Sequence, residues 1–558
     1  MRTLIVILAL ALPAASCAGG PRFLAPDDTP QTAYGAFLSA RYAAQMRDIA
    51  ASAAYYDAAF GYEPELAMVA DRAFSTALMA GDFERADRLA SGAAREGAAG
   101  GVASLYGRAV QLAGGRSAAP DETQYGPFGE LIAVILEDWE RVRRGRASAA
   151  AEAASGHELP MGAAGYLLIH QALLLEAGGL FERAEDAYRA ADRSLGLQDY
   201  TTVLLGEFLE RRGRRDEAAM VYQRHLARSG RDGDPEIAAA LARVRSSGRA
   251  PRFPTPQQAA ARAIHGPAVL LMSRAPVEFP VLYLRLAQRL DPGFARNTLA
   301  AAEALHSLGL STAARSTYGA IAAGPFAERA AISGAWLDFE AGRTEAAVRR
   351  ARAMGGSSAS PGLRMLLANL LQASGDCEAA EALYISLIEE AEAAGEDVDW
   401  RHAYFAGSCK LSRAGWDEAA PLMLRALELA PDQPSVLNDV GYSLIVEGGE
   451  VERGLDMVQR AAEMEPENPA FLDSVGWGFY RAGYPGEAID WLERAIEREP
   501  GNAVITWHLG DVYAATGREL EAGFHWRRAL ELDPDPELAA LLERRLSLGL
   551  DAGPVEAS

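Results

Sequence analysis

A repeat period constrains this chain more than any other feature. Pro431, Pro466, Pro500 and Pro534 lie 35, 34 and 34 residues apart, and the lines around them, ALELAPDQPSVLNDVGYSL, AAEMEPENPAFLDSVGWGFY and AIEREPGNAVITWHLGDVY, repeat one pattern. Each unit carries a glycine at the same place, Gly407, Gly441, Gly476 and Gly510, then alanines such as Ala419, Ala488 and Ala522, and later Ala426, Ala461, Ala495 and Ala529. A missing side chain at one fixed place marks where two helices come close, and the alanines of the second helix are expected to answer it from the other side. Proline then ends the second helix, because it has no N–H to donate. A helix pair of this kind cannot bury its apolar face alone, so the pairs must stack.

A 34-residue helix-turn-helix unit with small residues at these places and proline at its end resembles the tetratricopeptide repeat (TPR). The implied fold is all-α, a right-handed TPR solenoid. The same template places inter-helix turns and second helices at GDCEAAEALY (375), GRTEAAVRRA (342), GLSTAARSTY (309), GRRDEAAMVY (213), GLFERAEDAY (179), GDFERADRLA (81) and RDIAASAAYY (47), eleven repeats in all. The stretch 99–160 is less regular, with Ala150 fitting the pattern. Turn formers in SGRDGDPE and SSGRAPRFPTP predict a hinge over 229–254, between a first array at 33–228 and a second at 255–549. DPELAALLERRLSLGL reads as a terminal helix with its charges outward, the polar cap a solenoid needs, and 550–558 as a tail.

The amino terminus has Arg2, an apolar run from Leu4 to Leu12, then Pro13 and small residues, which reads as a secretory signal over 1–16. Ala14, Ala15 and Ser16 before Cys17 resemble a bacterial lipobox, which implies acylation of Cys17 and a lipid-anchored tether over 17–32; Ala18 after it points to the outer membrane. The alternative is a soluble periplasmic protein. Cys377 and Cys409 fall in neighbouring repeats, as two small-site thiols or as a disulfide. A formal charge of -22 argues against a nucleic-acid partner, which needs a basic stripe.

The eight histidines, His157 to His525, are scattered without metal-ligand spacing, and no phosphate loop, dinucleotide fingerprint or nucleophile elbow occurs. Neither a cofactor nor an enzymatic activity is expected. The TPR resemblance implies instead that first helices line a concave groove. Its ligand-facing positions map onto Tyr404, Asn438, Tyr442, Asp473, Trp477, Tyr480, Arg481, Trp507 and Asp511. Aromatic area beside Asn, Asp and Arg suits the backbone of an extended partner segment. Trp477 and Trp507 fit equally between adjacent first helices.

From about 400 to 546, LNDVGYSL, FLDSVGWGFYRAGYPGEAIDWLERAI and HLGDVYAATGRELEAGFHWRRALEL resemble a group of TPR outer-membrane lipoproteins that act as adaptors for periplasmic carboxyl-terminal processing proteases. The resemblance implies an envelope scaffold whose partners are such a protease and its substrates, for example cell-wall hydrolases. The alternatives are an assembly factor for an outer-membrane, pilus or secretion machine, or an enzyme with a hidden site.

Overall fold

A computed structural model describes residues 30–116, 125–154, 167–194, 197–229, 233–246, 248–272, 278–354 and 360–552. The signal, Cys17 and most of the tether lie outside them, as does the end of the tail. Among the described residues there is no strand, and no helix is long and apolar enough to cross a membrane. All eleven expected repeats are helix pairs. Two compact units divide between Arg350 and Ala351.

In the second unit five helix pairs follow one another: Pro361–Ala373 with Cys377–Ala394, Trp400–Ala414 with Trp416–Leu429, Pro434–Val446 with Val451–Met464, Pro469–Arg481 with Pro485–Arg498, and Ala503–Ala515 with Glu519–Glu531. The turns inside the last three pairs hold Gly449, Gly483 and Gly517 at φ 69°, 89° and 78°, a left-handed backbone that glycine adopts without a Cβ clash. The periodic glycines do sit where the two helices of a pair meet, but they chiefly face the large residue one turn beyond the expected alanines. A Cβ at Gly407 would lie 2.8 Å from Met423, at Gly476 2.6 Å from Leu492, and at Gly510 2.7 Å from Trp526. The alanines are buried beside them and let the helices approach. Pro536–Leu548 closes the stack, burying Leu538 and Leu542 and leaving Glu537 and Glu543 in solvent.

The first unit begins with the pairs Ala33–Gln45 with Ile49–Tyr62 and Ala67–Ala80 with Phe83–Arg95. The irregular stretch forms Gly101–Ala113, Gly126–Arg143 and Ala147–Ala153, with Ala150 fully buried. Leu168–Ala177 with Phe181–Ser194 and Gln198–Arg211 with Arg215–Ser229 follow. Here the sequence expectation of a hinge meets a different arrangement, and the reason is visible in the side chains. Asp234 caps the helix Pro235–Arg245, accepting from the amides of Glu236 and Ile237, and Arg296 holds both Asp234 and Glu236 at 2.7 Å. Arg215 donates to the carbonyls of Val244 and Gly248, and Arg243 pairs with Glu210 at 2.7 Å. Past 229–254 the chain doubles back onto the first array, and no division between two units falls there.

After that reversal the helices Pro256–Leu271 and Glu278–Leu290 lie against the first array. Pro256–Leu271 packs on Gly126–Arg143 and Leu168–Ala177, and Glu278–Leu290 packs on Ala67–Ala80 and Gly101–Ala113. Most residues of the two helices are buried, with Glu278 and Phe279 left exposed at the start of the second. Arg285, itself buried, donates to the carbonyl of Met79 and to Thr317, and Arg289 reaches Asp87 at 3.0 Å. The pairs Ala295–Ser307 with Ser311–Gly319 and Ala327–Glu340 with Thr344–Ala353 continue from there.

Candidate groove in the C-terminal unit

The nine sequence-predicted groove residues all stand on the first helices of the second unit, yet they do not form one surface. Trp477, Tyr480 and Trp507 come together: the Trp477 ring is 4.9 Å from Tyr480 and 5.4 Å from Trp507, centroid to centroid. Trp477 is only 6% exposed, so it packs between neighbouring first helices, whereas Tyr480 and Trp507 are half-buried at its rim. The Trp507 indole Nε1 has no hydrogen-bond partner in the structure.

The centre of this cluster is a residue that the sequence reading passed over. His508 stacks on Trp477 with centroids 3.9 Å apart and planes 17° from parallel, and its Nδ1 donates to Asp473 at 2.9 Å. Its Nε2 is buried and has no hydrogen-bond partner either. Asp473 is therefore a buried positioning group for His508, not a free groove carboxylate. Two repeats earlier the same 35-residue step joins Tyr404 to Asp439, the hydroxyl donating at 2.6 Å. Asn438 donates to the other oxygen of Asp439 at 3.0 Å. Burial raises the Asp439 pKa above the usual carboxylate range, opposed by these two donors. The signal for Asp439 and His508 was the period itself: each follows directly on a predicted groove position.

Tyr442 is half-buried in the same row, and burial together with the nearby Asp473 raises its pKa. Asp511 faces away from solvent. It accepts from Trp526 Nε1 at 2.9 Å and from Arg545 at 3.0 Å, which fastens the terminal helix to the last repeat. Burial raises its pKa, partly offset by Arg545. Arg481 is exposed and lines a shallow depression with Tyr484, Glu452 and Asp456 of the preceding second helix. The row that remains open to a partner is thus Tyr404, Tyr442, Tyr480 and Trp507, over a floor of Asn438, Asp473, Trp477 and His508. In the first unit Pro256–Leu271 and Glu278–Leu290 lie against first helices such as Leu168–Ala177 and Ala67–Ala80. No group of three or more His, Cys, Asp or Glu suited to a metal occurs among the described residues.

One family model matches the chain, the tetratricopeptide repeat, over residues 201–236. This span contains the helices Gln198–Arg211 and Arg215–Ser229 almost entirely, so the matched repeat coincides with an observed pair. No curated protein matches the sequence. Similar solved structures include YrrB, described as a TPR protein with an unusual peptide-binding site, at 22% identity over 35% of this chain and 97% of that one, with a TM-score of 0.27. A tetratricopeptide repeat protein from Parabacteroides merdae is 13% identical over 46% and 98%, with a TM-score of 0.37. The APC/C hetero-tetramer Cut9-Hcn1 is 13% identical over 94% and 97%, with a TM-score of 0.38. Likenesses at these scores carry no argument of their own. The helix pairing and the matched repeat do: the fold is an all-α TPR solenoid, the architecture of a protein-interaction scaffold.

Proposed function

We propose that the chain is a non-catalytic adaptor of the bacterial envelope that binds an extended segment of a periplasmic protein across Tyr404, Tyr442, Tyr480 and Trp507. The observation that carries this reading is the half-buried aromatic row on successive first helices. Rings supply contact area at low entropic cost, and the tyrosine hydroxyls give them a polar tip for a peptide backbone. The secretory run before Cys17 supports the envelope setting, and the resemblance of 400–546 to protease adaptors supports a carboxyl-terminal processing protease or a cell-wall hydrolase as partner. Tethering both to one solenoid raises their mutual concentration, so two modest contacts act together.

The test is affinity capture from envelope extract by the tagged protein, beside a Tyr442→Ala, Tyr480→Ala, Trp507→Ala variant whose thermal melt is checked first. Recovery of a protease or hydrolase by the parent alone is expected. Recovery of subunits of an outer-membrane, pilus or secretion machine would instead make the protein an assembly factor. Equal recovery by the folded variant would place the binding surface elsewhere.

A further inference from the structure

The first helix, Ala33–Gln45, buries Ala36, Ala40 and Ala43 against its neighbour and turns a different face outward. Tyr34, Leu38, Tyr42 and Met46, the last being the capping residue, are 73%, 44%, 47% and 50% exposed. Successive residues four apart advance by about 40° around a helix, so the four form one continuous stripe. A terminal element of a solenoid normally presents a polar outer face, as Pro536–Leu548 does with Glu537 and Glu543. This terminal element presents an apolar one.

Its charge is as unusual as its apolarity. In a chain of formal charge -22, residues 30–47 contain no Asp or Glu and two arginines, Arg41 and Arg47, both exposed. Asp48, just beyond, is occupied in capping the next helix through the amide of Ala51. At the other end of the stripe Tyr62 donates to the carbonyl of Pro30 and adds a further exposed ring, bounded by Glu63 and Glu65. An apolar stripe with tyrosines, on a helix whose only charged residue is the exposed Arg41 and with Arg47 just past its end, is the composition of a helix that lies in the plane of a membrane interface.

We propose that the outer face of Ala33–Gln45 rests on an anionic lipid bilayer. The choice of a bilayer over another occupant rests on the envelope reading above and on chain length. Twelve residues lie between Cys17 and Pro30, and the thirteen steps from one to the other, at 3.3–3.6 Å each, reach at most about 45 Å. An acyl anchor at Cys17 therefore holds this stripe close to the membrane at high effective concentration. The second contact fixes which end of the solenoid meets the bilayer and leaves the repeats beyond it to face the periplasm.

The processed length, residues 18–558, contains every described helix and is the protein to use, made without acyl groups. It is floated with vesicles of phosphatidylethanolamine containing phosphatidylglycerol, and separately with phosphatidylcholine vesicles. Co-flotation with the anionic vesicles, weakened by salt, is expected. Leu38→Glu with Met46→Glu lowers the partition about tenfold or more, while the helical melt stays that of the parent because both sites are exposed. The acylated full chain carrying the same two substitutions still floats through its lipid. The proposal is overturned if the unacylated parent stays with the bottom fractions at every vesicle composition, or if the double variant floats as well as the parent. It is equally overturned if sedimentation shows a parent dimer that the substitutions dissolve without any vesicle binding, since the face would then be a contact between copies. The mass of the amino-terminal peptide from the native protein reports on acylation separately: an unmodified peptide removes the anchor and leaves the flotation result standing.

Discussion

A β-carbon on Gly206 would stand 2.2 Å from the ring of Tyr222. The ring has nowhere to go, since Tyr222 is fully buried and its hydroxyl donates to Glu210 at 2.9 Å, which Arg243 holds in turn. Gly206→Ala is thus expected to force one helix of the matched repeat away from the other and to cost about 1–3 kcal/mol. Gly107→Ala is the control, a mid-helix glycine with nothing within 4 Å of the added carbon, and should stabilise by about 0.5–1 kcal/mol. Urea unfolding of both variants checks the sign. A neutral Gly206→Ala would show that the pair tolerates a wider spacing than the packing implies.

Trp477 and Arg481 were assigned one role from their repeat positions, and the structure separates them. Removing the Trp477 ring takes away its stacking on His508 and opens a cavity among buried residues, so Trp477→Ala should cost about 3–5 kcal/mol. Arg481 is exposed, and Arg481→Ala should stay within about 0.5 kcal/mol of the parent. Thermal melts distinguish the two directly. A Trp477→Ala protein that melts like the parent would return Trp477 to the ligand-facing surface.

The helix pairs were legible because a glycine every 34 or 35 residues is a packing constraint written into the sequence. Gly407, Gly476 and Gly510 each make room for a specific large side chain of the second helix. The path of the chain after 229 was not legible. Turn formers record that a chain bends but not against what it comes to rest, and Arg285 meets Met79 across 206 residues. The mostly apolar run AAARAIHGPAVLL carried a hint, since a helix with little polar surface has to be enclosed. In the groove, repeat position identified the right helices, while the bonds of Asp473 and Asp511 depended on His508, Trp526 and Arg545, which position alone does not single out.

Cys377 and Cys409 are unpaired thiols in unlike settings, Cys377 partly exposed at the start of its helix and Cys409 buried. Burial, with Cys377 nearby, pushes the Cys409 thiol well above its ordinary pKa. Only a thiolate is alkylated readily, so iodoacetamide should label Cys377 in the native protein and Cys409 only after unfolding, by at least about tenfold in initial rate. Peptide mass spectrometry reads both sites. Equal labelling would mean that the neighbouring repeats open readily, and a linked peptide would show the thiols oxidised to a disulfide.

His265 couples the first unit to pH. Its ring packs on Tyr200 and Phe294 with centroids 4.8 and 5.2 Å away, and Nδ1 donates to Asn297, whose own amide donates to the carbonyl of Leu284. Burial, reinforced by the nearby Arg296, lowers its pKa from 6.5 to about 3. Above pH 6.5 the imidazole is neutral in both the folded and the unfolded chain, so it contributes no pH dependence there. Between 6.5 and about 3 the unfolded chain takes up a proton that the folded chain refuses, and stability falls as pH falls, by about 1.4 kcal/mol per pH unit. Near pH 5 the loss is about 2 kcal/mol. His402 and His525 are also lowered by burial and push in the same direction, so the measurement has to be a difference. Urea unfolding of the parent and of His265→Gln at pH 7 and pH 5 isolates the term, because the other histidines cancel between the two proteins. The glutamine variant starts less stable at neutral pH but loses less on acidification. Parallel losses in the two proteins would mean that His265 accepts its proton without penalty, and that the pocket formed by Tyr200, Phe294 and Asn297 opens before the unit does.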